Sequence, residues 1–310
     1  MMKMVITGPT GAIGMALIQL CIDKQIEVLA ICRKSSPGLA YMPQDPLLHI
    51  IEADLDEYAA LELLDQYDVF YHFAWASTIG ESRNDVYTQN QNVTYTLDAV
   101  RLAKRLGCHT FIGAGSQAEY GRSEMPLTSH TPAFPETGYG IAKLCAGQLS
   151  RILCEQLQIK HIWTRILSVY GPYDDERTMV ISTIKKMLSQ EALLFTQGEQ
   201  IWDFLYSKDA AHILYRLAIC GKHFKTYCIG SGEGRKLKTF IEEVHNVVMP
   251  KQEPVFGAIP YGKNQVMHLV ADLVELEQDI GKITFTPFAL GIRETMQNVM
   301  RRFDTIEKGV

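Results

Sequence analysis

The sequence has little that would point to a disulfide-stabilised or metal-binding protein. Its seven cysteines are odd in number and widely spaced, they include no Cys-x-x-Cys pair, and most lie in apolar segments. This usage predicts reduced core cysteines in a cytoplasmic protein. The nine histidines form no cluster with ligand spacing, so no metal site is expected.

Long apolar runs and a strong excess of one charge are also missing. No apolar segment approaches the about 20 residues that a membrane span needs, and the chain enters a strand at once, without a cleavable apolar signal. A net charge of −5 gives no sign of a nucleic-acid or anionic-membrane partner. The remaining class is a globular protein, and 310 residues are enough for one large α/β domain or for two lobes.

Strand-like and helix-like segments alternate through the first half of the chain. This alternation predicts a parallel sheet covered by helices on both faces, as in a Rossmann-type doubly wound α/β fold. Ligands of such sheets bind at the carboxyl ends of the strands. Strand-like runs lie at 3–8, 26–33, 47–54, 68–76, 108–116 and 160–171, and helix-like runs lie at 13–24, 59–66, 93–107 and 139–157.

The pattern loosens after about residue 170, where short polar and glycine-containing stretches interrupt it. We therefore expect an NAD(P)-binding domain over 1–168 and a smaller α/β substrate lobe over 169–310. Elements near 205–230 are expected to return to the sheet, because no Pro/Ser linker separates the two parts.

A glycine-rich loop lies between the first strand and the first helix. The stretch "ITGPTGAIG" spaces Gly8, Gly11 and Gly14 three residues apart. Glycine permits a tight turn and close approach of the backbone, and the helix N-terminus offers free N–H groups to a pyrophosphate. The position of the loop predicts dinucleotide binding; an ordinary strand-to-helix turn is the alternative.

The end of the second strand bears on the choice of cofactor. An NAD-selective site usually has a carboxylate there, but this chain has Cys32, Arg33 and Lys34. An arginine could pair with a 2′-phosphate, which favours NADP(H) and leaves NAD(H) possible; a solvent-facing basic pair is the alternative. Asp54 and Leu55 could border the adenine, and Asp54 could equally cap a helix.

The stretch "YGIAK" places Tyr139 and Lys143 one helical turn apart on the same face. A phenol beside an ammonium group is typical of a catalytic base. The spacing alone also arises about once by chance in a chain of this composition, so it needs support from other residues.

Together these motifs resemble the extended short-chain dehydrogenases/reductases, specifically the NAD-dependent epimerase/dehydratase family that modifies nucleotide sugars. The resemblance covers nearly the whole chain. Besides the glycine spacing it includes Asp54-Leu55, "HFA" at 72–74, Asn92-Val93, Ser116 four residues before "YG", Tyr139-x-x-x-Lys143, "RILSVYGP" at 165–172 and "WDFLYSKDAA" at 202–211.

The resemblance implies that Ser116, Tyr139 and Lys143 are the catalytic residues. A free tyrosine has a pKa of about 10, and a nearby Lys⁺ together with a cationic nicotinamide ring favours the phenolate. The phenolate would take a proton from a sugar hydroxyl, and Tyr139 would return it in the reverse direction. Ser116 would hydrogen-bond the reacting oxygen, and Lys143 would also hold the nicotinamide ribose.

The resemblance also implies the binding residues. Those expected at the cofactor are Gly8, Thr10, Gly11, Ala12, Ile13, Gly14, Arg33, Asp54, Leu55, Phe73, Ala74, Ala76, Asn92, Tyr139, Lys143, Ile166 and Val169, and those expected at the substrate are Ser77, Ser116, Gln117, Ser168 and Trp202.

Some positions depart from the family pattern. Gln117 and Ala118 stand where 4,6-dehydratases carry Asp-Glu, which argues against that reaction because neither side chain can do acid–base work. Ser168 stands where the family often has asparagine. Trp202 replaces an arginine that commonly binds the diphosphate; it could stack on a base or sugar, or pack between the lobes.

The expected function is an oxidoreductase at C4 of a nucleoside-diphosphate sugar, either a 4-ketosugar reductase or a 4-epimerase. The alternatives are an NADPH-dependent reductase of a non-nucleotide carbonyl and a dinucleotide-sensing protein without turnover. Apolar residues on more than one face of the later helices, such as Leu144, Leu149, Ile152 and Leu153, predict a homodimer that packs helix against helix.

Overall fold

The computed structural model describes residues 2–307, in which helices alternate with strands. The strands are β1 (Lys3–Thr7), β2 (Glu27–Cys32), β3 (Leu48–Glu52), β4 (Val69–His72), β5 (Thr110–Ser116), β6 (Lys160–Ile166), β7 (Ser168–Tyr170), β8 (Leu194–Phe195), β9 (Ile201–Trp202), β10 (Phe204–Tyr206), β11 (Lys225–Ile229), β12 (Arg235–Lys236), β13 (Val255–Phe256) and β14 (His268–Leu269). The helices are α1 (Ala12–Asp23), α2 (Val86–Arg105), α3 (Gly138–Gln156), α4 (Met179–Leu188), α5 (Ser207–Cys220), α6 (Leu237–Val248), α7 (Val274–Ile280) and α8 (Phe288–Glu307).

The main sheet has seven strands in the order β3-β2-β1-β4-β5-β6-β11. Every neighbouring pair is parallel. The chain runs outward in one direction from β1 to β3 and in the other from β4, so the carboxyl ends of β1 and β4 flank a switch point of the kind that binds ligands. The predicted Rossmann-type parallel sheet is confirmed.

Both faces of the sheet are covered, because its strands are apolar on both sides. On one face α1 and α5 contribute buried Leu17, Ile18 and Leu214. On the other face α2 and α3 cover Phe70 and Phe111. All seven cysteines lie in the described part of the chain and are free, and most are buried.

A second apolar core lies among α4, α6 and α8. It contains Tyr170, Ile184, Phe240 and Phe288, which are buried with little exposed surface. A buried carboxylate ties the nearby loops together: Asp203 accepts the backbone N–H groups of residues 231, 232 and 271. The region after residue 170 therefore has its own core, which borders the carboxyl edge of the sheet through β7 and β10.

The helix predicted over 59–66 is wrong. After a short 3-10 turn at Leu55–Glu57 the chain has no regular element until β4. Leu61 packs against the core, whereas Leu64 is 99% exposed, so the apolar residues do not share one helical face. The guanidinium of Arg105 donates to the carbonyl oxygens of Tyr58 and Leu61, which satisfies backbone groups that a helix would use.

Two further boundaries differ from the expectation. The strand predicted over 160–171 breaks at Leu167 into β6 and β7, because β7 leaves the main sheet and pairs with β10. The helix predicted from Val93 begins at Val86, where Asp85 accepts the first backbone N–H groups as its cap. Within residues 2–307 no helix has the length and apolar character that crossing a membrane requires.

Candidate active site

The glycine loop after β1 combines tight packing with an open approach. Gly8 has φ +66°, and a Cβ there would lie 2.8 Å from the backbone nitrogen of Ala74. A Cβ on Gly14 would lie 2.6 Å from the carbonyl oxygen of Gly8. A Cβ on Gly11, in contrast, would have nothing within 4 Å. Gly8 and Gly14 are therefore needed for packing, and Gly11 faces open space.

The N-terminus of α1 fits a diphosphate. Its cap is Gly11, which has no side chain to occupy the first N–H groups of the helix. A cleft of about 560 Å³ opens in front of it, within the usual range for ligand pockets. These features match the predicted dinucleotide site, because backbone donors and open space coincide at the switch point of the sheet.

Many of the predicted cofactor residues line this cleft together. It is also lined by side chains that the sequence did not single out, among them Ser36, Tyr58, Trp75 and Tyr95. The predicted residues that line it are Gly8, Thr10, Gly11, Arg33, Asp54, Leu55, Phe73, Ala74 and Ala76.

The other predicted cofactor residues lie away from the lining of the cleft. Asn92 is buried on α2 and binds the backbone of Ala76, accepting its N–H at 2.9 Å and donating to its carbonyl at 3.0 Å. Asn92 therefore shapes the loop after β4. Ala12, Ile13 and Gly14 lie in the first turn of α1, Ile166 belongs to the core at the end of β6, and Val169 packs against that core.

Charged groups surround the end of β2. Arg33 is exposed and lines the cleft. Lys34 forms an ion pair with Glu57 at 2.5 Å, and its backbone N–H donates to Asp54 at 3.2 Å. Of the predicted basic pair, Arg33 is the member that faces the cleft, and Lys34 is engaged outside it.

The structure brings Ser116, Tyr139 and Lys143 together at the end of β5. Tyr139 lies in the first turn of α3, whose cap Thr137 accepts the N–H of Gly140 at 3.1 Å. A Cβ on Gly140 would collide with the carbonyl oxygen of residue 118, so glycine lets α3 approach the turn that follows Ser116.

The immediate partners of these side chains define their chemistry. The Ser116 hydroxyl lies close enough to the Tyr139 phenol to lower its pKa. The Lys143 ammonium donates to the carbonyl oxygen of Ala114 at 2.6 Å and lies 3.7 Å from the centroid of the Trp75 ring. It is 5.8 Å from the centroid of the Tyr139 ring.

Burial opposes charge on both Tyr139 and Lys143. It raises the pKa of Tyr139, although the hydrogen bond from Ser116 and the positive charge of Arg83 pull that pKa down. Burial also lowers the pKa of Lys143 to about 7, against the influence of Glu119. Without a bound ligand, Tyr139 is therefore a neutral phenol at neutral pH, poised to donate a hydrogen bond.

Two side chains that the sequence did not single out contact Tyr139. Trp75 meets its ring edge-on at 6.1 Å and donates its indole N–H to Gln89 at 2.9 Å. The Arg83 guanidinium lies 4.5 Å from the centroid of the Tyr139 ring. The loop carrying Arg83 is fixed over α3 because the side chain of Asn84 accepts the N–H of residue 138 at 3.0 Å. Neither residue belongs to a motif, and only the fold places them here.

Two of the predicted substrate residues bind each other. The Trp202 indole N–H donates to the Ser168 hydroxyl at 2.8 Å. Trp202 also packs against two apolar clusters, one of them the core around Phe240 and the other around Leu269, which favours its role in packing between the lobes. Ser77 lies in the loop after β4, and Gln117 starts the turn after Ser116.

Comparison with known proteins identifies the relatives of this chain. The model of the NAD dependent epimerase/dehydratase family matches residues 4–230. The dTDP-6-deoxy-L-talose 4-dehydrogenase (NAD(+)) of Aggregatibacter actinomycetemcomitans is 25% identical, over 84% of this chain and 97% of that protein.

Solved structures share the fold. A UDP-N-acetylglucosamine 4-epimerase from Methanobrevibacter ruminantium superposes with a TM-score of 0.88 at 22% identity, covering 97% of this chain and 99% of that one. A UDP-glucuronic acid 4-epimerase from Bacillus cereus in complex with NAD superposes with a TM-score of 0.85 at 20% identity, covering 97% of this chain and 100% of that one.

Proposed function

The chain belongs to the NAD dependent epimerase/dehydratase family, and we propose that it is an NAD(P)-dependent oxidoreductase acting at C4 of a nucleoside-diphosphate sugar. The observation that carries the proposal is that Ser116, Tyr139 and Lys143 lie together at the end of β5, with the Lys143 ammonium 5.8 Å from the centroid of the Tyr139 ring. This group lies at the same edge of the sheet as the open backbone at Gly11.

The chain's own residues supply the proton chemistry. A nicotinamide cofactor bound in the cleft supplies a reversible acceptor of hydride. In the oxidising direction the Tyr139 oxygen takes the proton of a sugar hydroxyl, and in the reducing direction it returns that proton. The Ser116 hydroxyl hydrogen-bonds the reacting oxygen, and the Lys143 charge favours the phenolate that must form.

The reaction is that of a 4-ketosugar reductase or a 4-epimerase. Gln117 and Ala118, at the turn beside Ser116, offer no acid or base for eliminating water, which speaks against a 4,6-dehydratase. The names of the Aggregatibacter and Methanobrevibacter proteins place the chemistry of both at position 4.

NADP(H) is the favoured cofactor and NAD(H) the other candidate. The support is the exposed guanidinium of Arg33 at the rim of the cleft, which has the geometry to bind a 2′-phosphate bidentately. NAD(H) stays a candidate because the structurally similar Bacillus cereus protein was solved in complex with NAD. The lobe over 169–310 would hold the nucleotide sugar, with Ser168 and Trp202 at its border.

We also propose that the protein is a homodimer and that it is located in the cytoplasm. The α3 side chains Ile141, Leu149 and Ile152 are 56%, 41% and 44% exposed, so this helix presents apolar side chains to solvent. Leu144 and Leu153 are half-buried beneath them. The free cysteines support a reducing compartment.

A nucleotide panel tests the proposal. UDP, dTDP, GDP and CDP are added with and without NADPH while thermal unfolding is followed; at least one nucleotide should raise the unfolding temperature further than NADPH alone. The 4-keto and 4-hydroxy hexose derivatives of the stabilising nucleotide are then assayed for turnover. Stabilisation by NADPH and by none of the nucleotides would instead favour a reductase of a non-nucleotide carbonyl. Stabilisation without any turnover would favour a dinucleotide sensor.

A further inference from the structure

A buried carboxylate lies next to the catalytic hydroxyl. Glu119 belongs to the short turn Gln117–Glu119 that follows β5, and its side chain has no exposed surface. It accepts the backbone N–H of Ser116 at 2.8 Å. The Ser116 hydroxyl, meanwhile, accepts the N–H of Ala118 at 3.2 Å and lies beside Tyr139, whose pKa it lowers. Glu119 therefore fixes the backbone of Ser116, whose hydroxyl lies beside the Tyr139 phenol.

Two further side chains donate to the same carboxylate. The Trp163 indole N–H lies 3.0 Å and 3.2 Å from its two oxygens, and the Nε of Arg165 lies 2.8 Å from Oε2. Arg165 is itself only 6% exposed. Burial raises the pKa of Glu119, but the guanidinium and the three donors oppose that shift and favour the ionised form.

The surrounding sequence makes room for this cluster. A Cβ on Gly113 would collide with the Trp163 ring, and a Cβ on Gly115 would collide with both the indole nitrogen and Glu119. On α3, a Cβ on Gly147 would lie 2.7 Å from the Trp163 ring. Glycines on β5 and α3 therefore leave the space that the Trp163 indole and the Glu119 carboxylate occupy, so the backbone on two elements is adapted to this cluster.

Glu119 acts on both titrating groups of the catalytic set. The groups that face Tyr139 are the Ser116 hydroxyl, the Arg83 and Lys143 cations, the Glu119 anion and the Trp75 ring. Lys143 faces Glu119, the neutral His72 on β4, the Ala114 carbonyl and the Trp75 ring. In these two environments Glu119 is the shared negative charge, and Arg165 on β6 is its counter-ion.

We propose that Glu119 is a positioning residue for the Ser116, Tyr139 and Lys143 site, one that fixes the Ser116 backbone and sets the charge balance between the phenol and the ammonium. The inference rests on the proposed function, because it gives Tyr139 and Lys143 their roles. The charge of Glu119 adds to the burial that keeps the phenol protonated, and it opposes the burial that lowers the pKa of the ammonium.

The sign of the effect follows from the charges. An anion disfavours a second anion and favours a cation, so Glu119 raises the pKa of Tyr139 and of Lys143. Removing its charge should move both titrations to lower pH. A purely structural carboxylate would lower activity or stability and leave both midpoints in place.

Direct titration of Tyr139 tests the proposal without substrate. The protein is labelled with ¹³C at the ring Cζ of tyrosine, and Tyr139→Phe identifies the Tyr139 signal. In Glu119→Gln the midpoint of that signal should fall by roughly one pH unit, the scale of a nearby charge. Glu136→Gln is the matched control, because Glu136 also pairs with an arginine, Arg122, but at the surface. In this variant the midpoint of the Tyr139 signal should equal that of the wild type.

A second pair of variants guards against misfolding. Glu119→Leu combined with Arg165→Met removes the ion pair without leaving a lone buried cation, and its Tyr139 midpoint should fall in the same direction. Trp163→Phe keeps the charge and should leave the midpoint near that of the wild type. An unchanged midpoint in a folded Glu119→Gln protein, judged by circular dichroism, overturns the proposal, and so does an equal fall in Trp163→Phe. Failure of the sugar chemistry would appear separately, as absence of turnover by the wild type.

Discussion

The loops after β1 and β5 lie at the same edge of the sheet but are built in opposite ways. The β1 loop is defined by side chains that are absent, since Gly8 and Gly14 pack backbone against backbone. The β5 turn is defined by buried polar side chains around Ser116 and Glu119. The first loop should therefore be sensitive to added side-chain volume and the second to changes in charge and protonation, although both lie at the same edge of the sheet.

The largest effect should come from the β5 side. Tyr139→Phe removes one oxygen and keeps the ring that packs against Trp75. Turnover of the substrate found by the nucleotide panel should fall by about 10²–10⁴-fold, the usual contribution of general acid–base catalysis. NADPH affinity, measured by calorimetry, should stay near that of the wild type because the β1 loop is untouched. The control is Tyr87→Phe, which alters an 82% exposed tyrosine on α2 and should change neither quantity. Near wild-type turnover by Tyr139→Phe would remove the catalytic assignment.

The β1 loop should respond to a single methyl group. In Gly14→Ala the new Cβ would lie 2.6 Å from the Gly8 carbonyl, so the free energy of unfolding should drop by about 1–3 kcal/mol, as overpacking costs. Gly11→Ala is the matched variant, since its Cβ meets nothing within 4 Å. It should keep its stability in urea unfolding and lose affinity for the cofactor. Equal stability losses in the two variants would contradict the assignment of Gly14 to packing and of Gly11 to the open approach to the ligand.

The rim of the cleft offers a test of cofactor choice. Arg33→Ala should weaken NADPH binding more than NADH binding, by about 1–3 kcal/mol if a charged hydrogen bond to the 2′-phosphate is lost. Lys34→Ala should affect the two cofactors alike, because Lys34 pairs with Glu57. Fluorescence titration with both cofactors measures the difference. Equal losses in Arg33→Ala would show that Arg33 does not bind the 2′-phosphate.

The smallest effect should be a displacement of the pH profile. The Arg83 cation lowers the pKa of Tyr139, so Arg83→Met should raise it. Oxidation needs the phenolate, and its rate should therefore rise at higher pH in the variant, with a midpoint displaced by up to about one unit. At a fixed pH below the midpoint, one unit corresponds to about tenfold slower oxidation. Arg122→Met, which alters a surface arginine paired with Glu136, should leave the midpoint unchanged; a displacement of the same size there would argue for a general charge effect.

The parts that the sequence predicted well are those encoded by local patterns. The parallel sheet follows from alternating apolar runs, and the glycine loop and the Tyr139/Lys143 spacing are short-range features. The helix predicted over 59–66 failed because Arg105, distant in sequence, binds the carbonyls of this segment. Arg83 was missed for the same reason, because a contact between separate elements brings it to Tyr139. Glu119 follows Ser116 at the spacing of a capping box, a local signal that could have found it, but its bonds to Trp163 and Arg165 are long-range.

The chain has three tryptophans, and each contacts a residue of the candidate site or of its surroundings. Trp75 lies on the Lys143 ammonium, Trp163 donates to Glu119 and Trp202 donates to Ser168. The tryptophan fluorescence of the protein therefore reports on these three contacts. Three variants that each retain a single tryptophan would separate the signal of the indole beside Lys143, that of the indole beside Glu119 and that of the indole beside Ser168 at the border of the lobes. A stopped-flow experiment on each variant could then time ligand arrival, proton movement or lobe displacement separately, without any added dye.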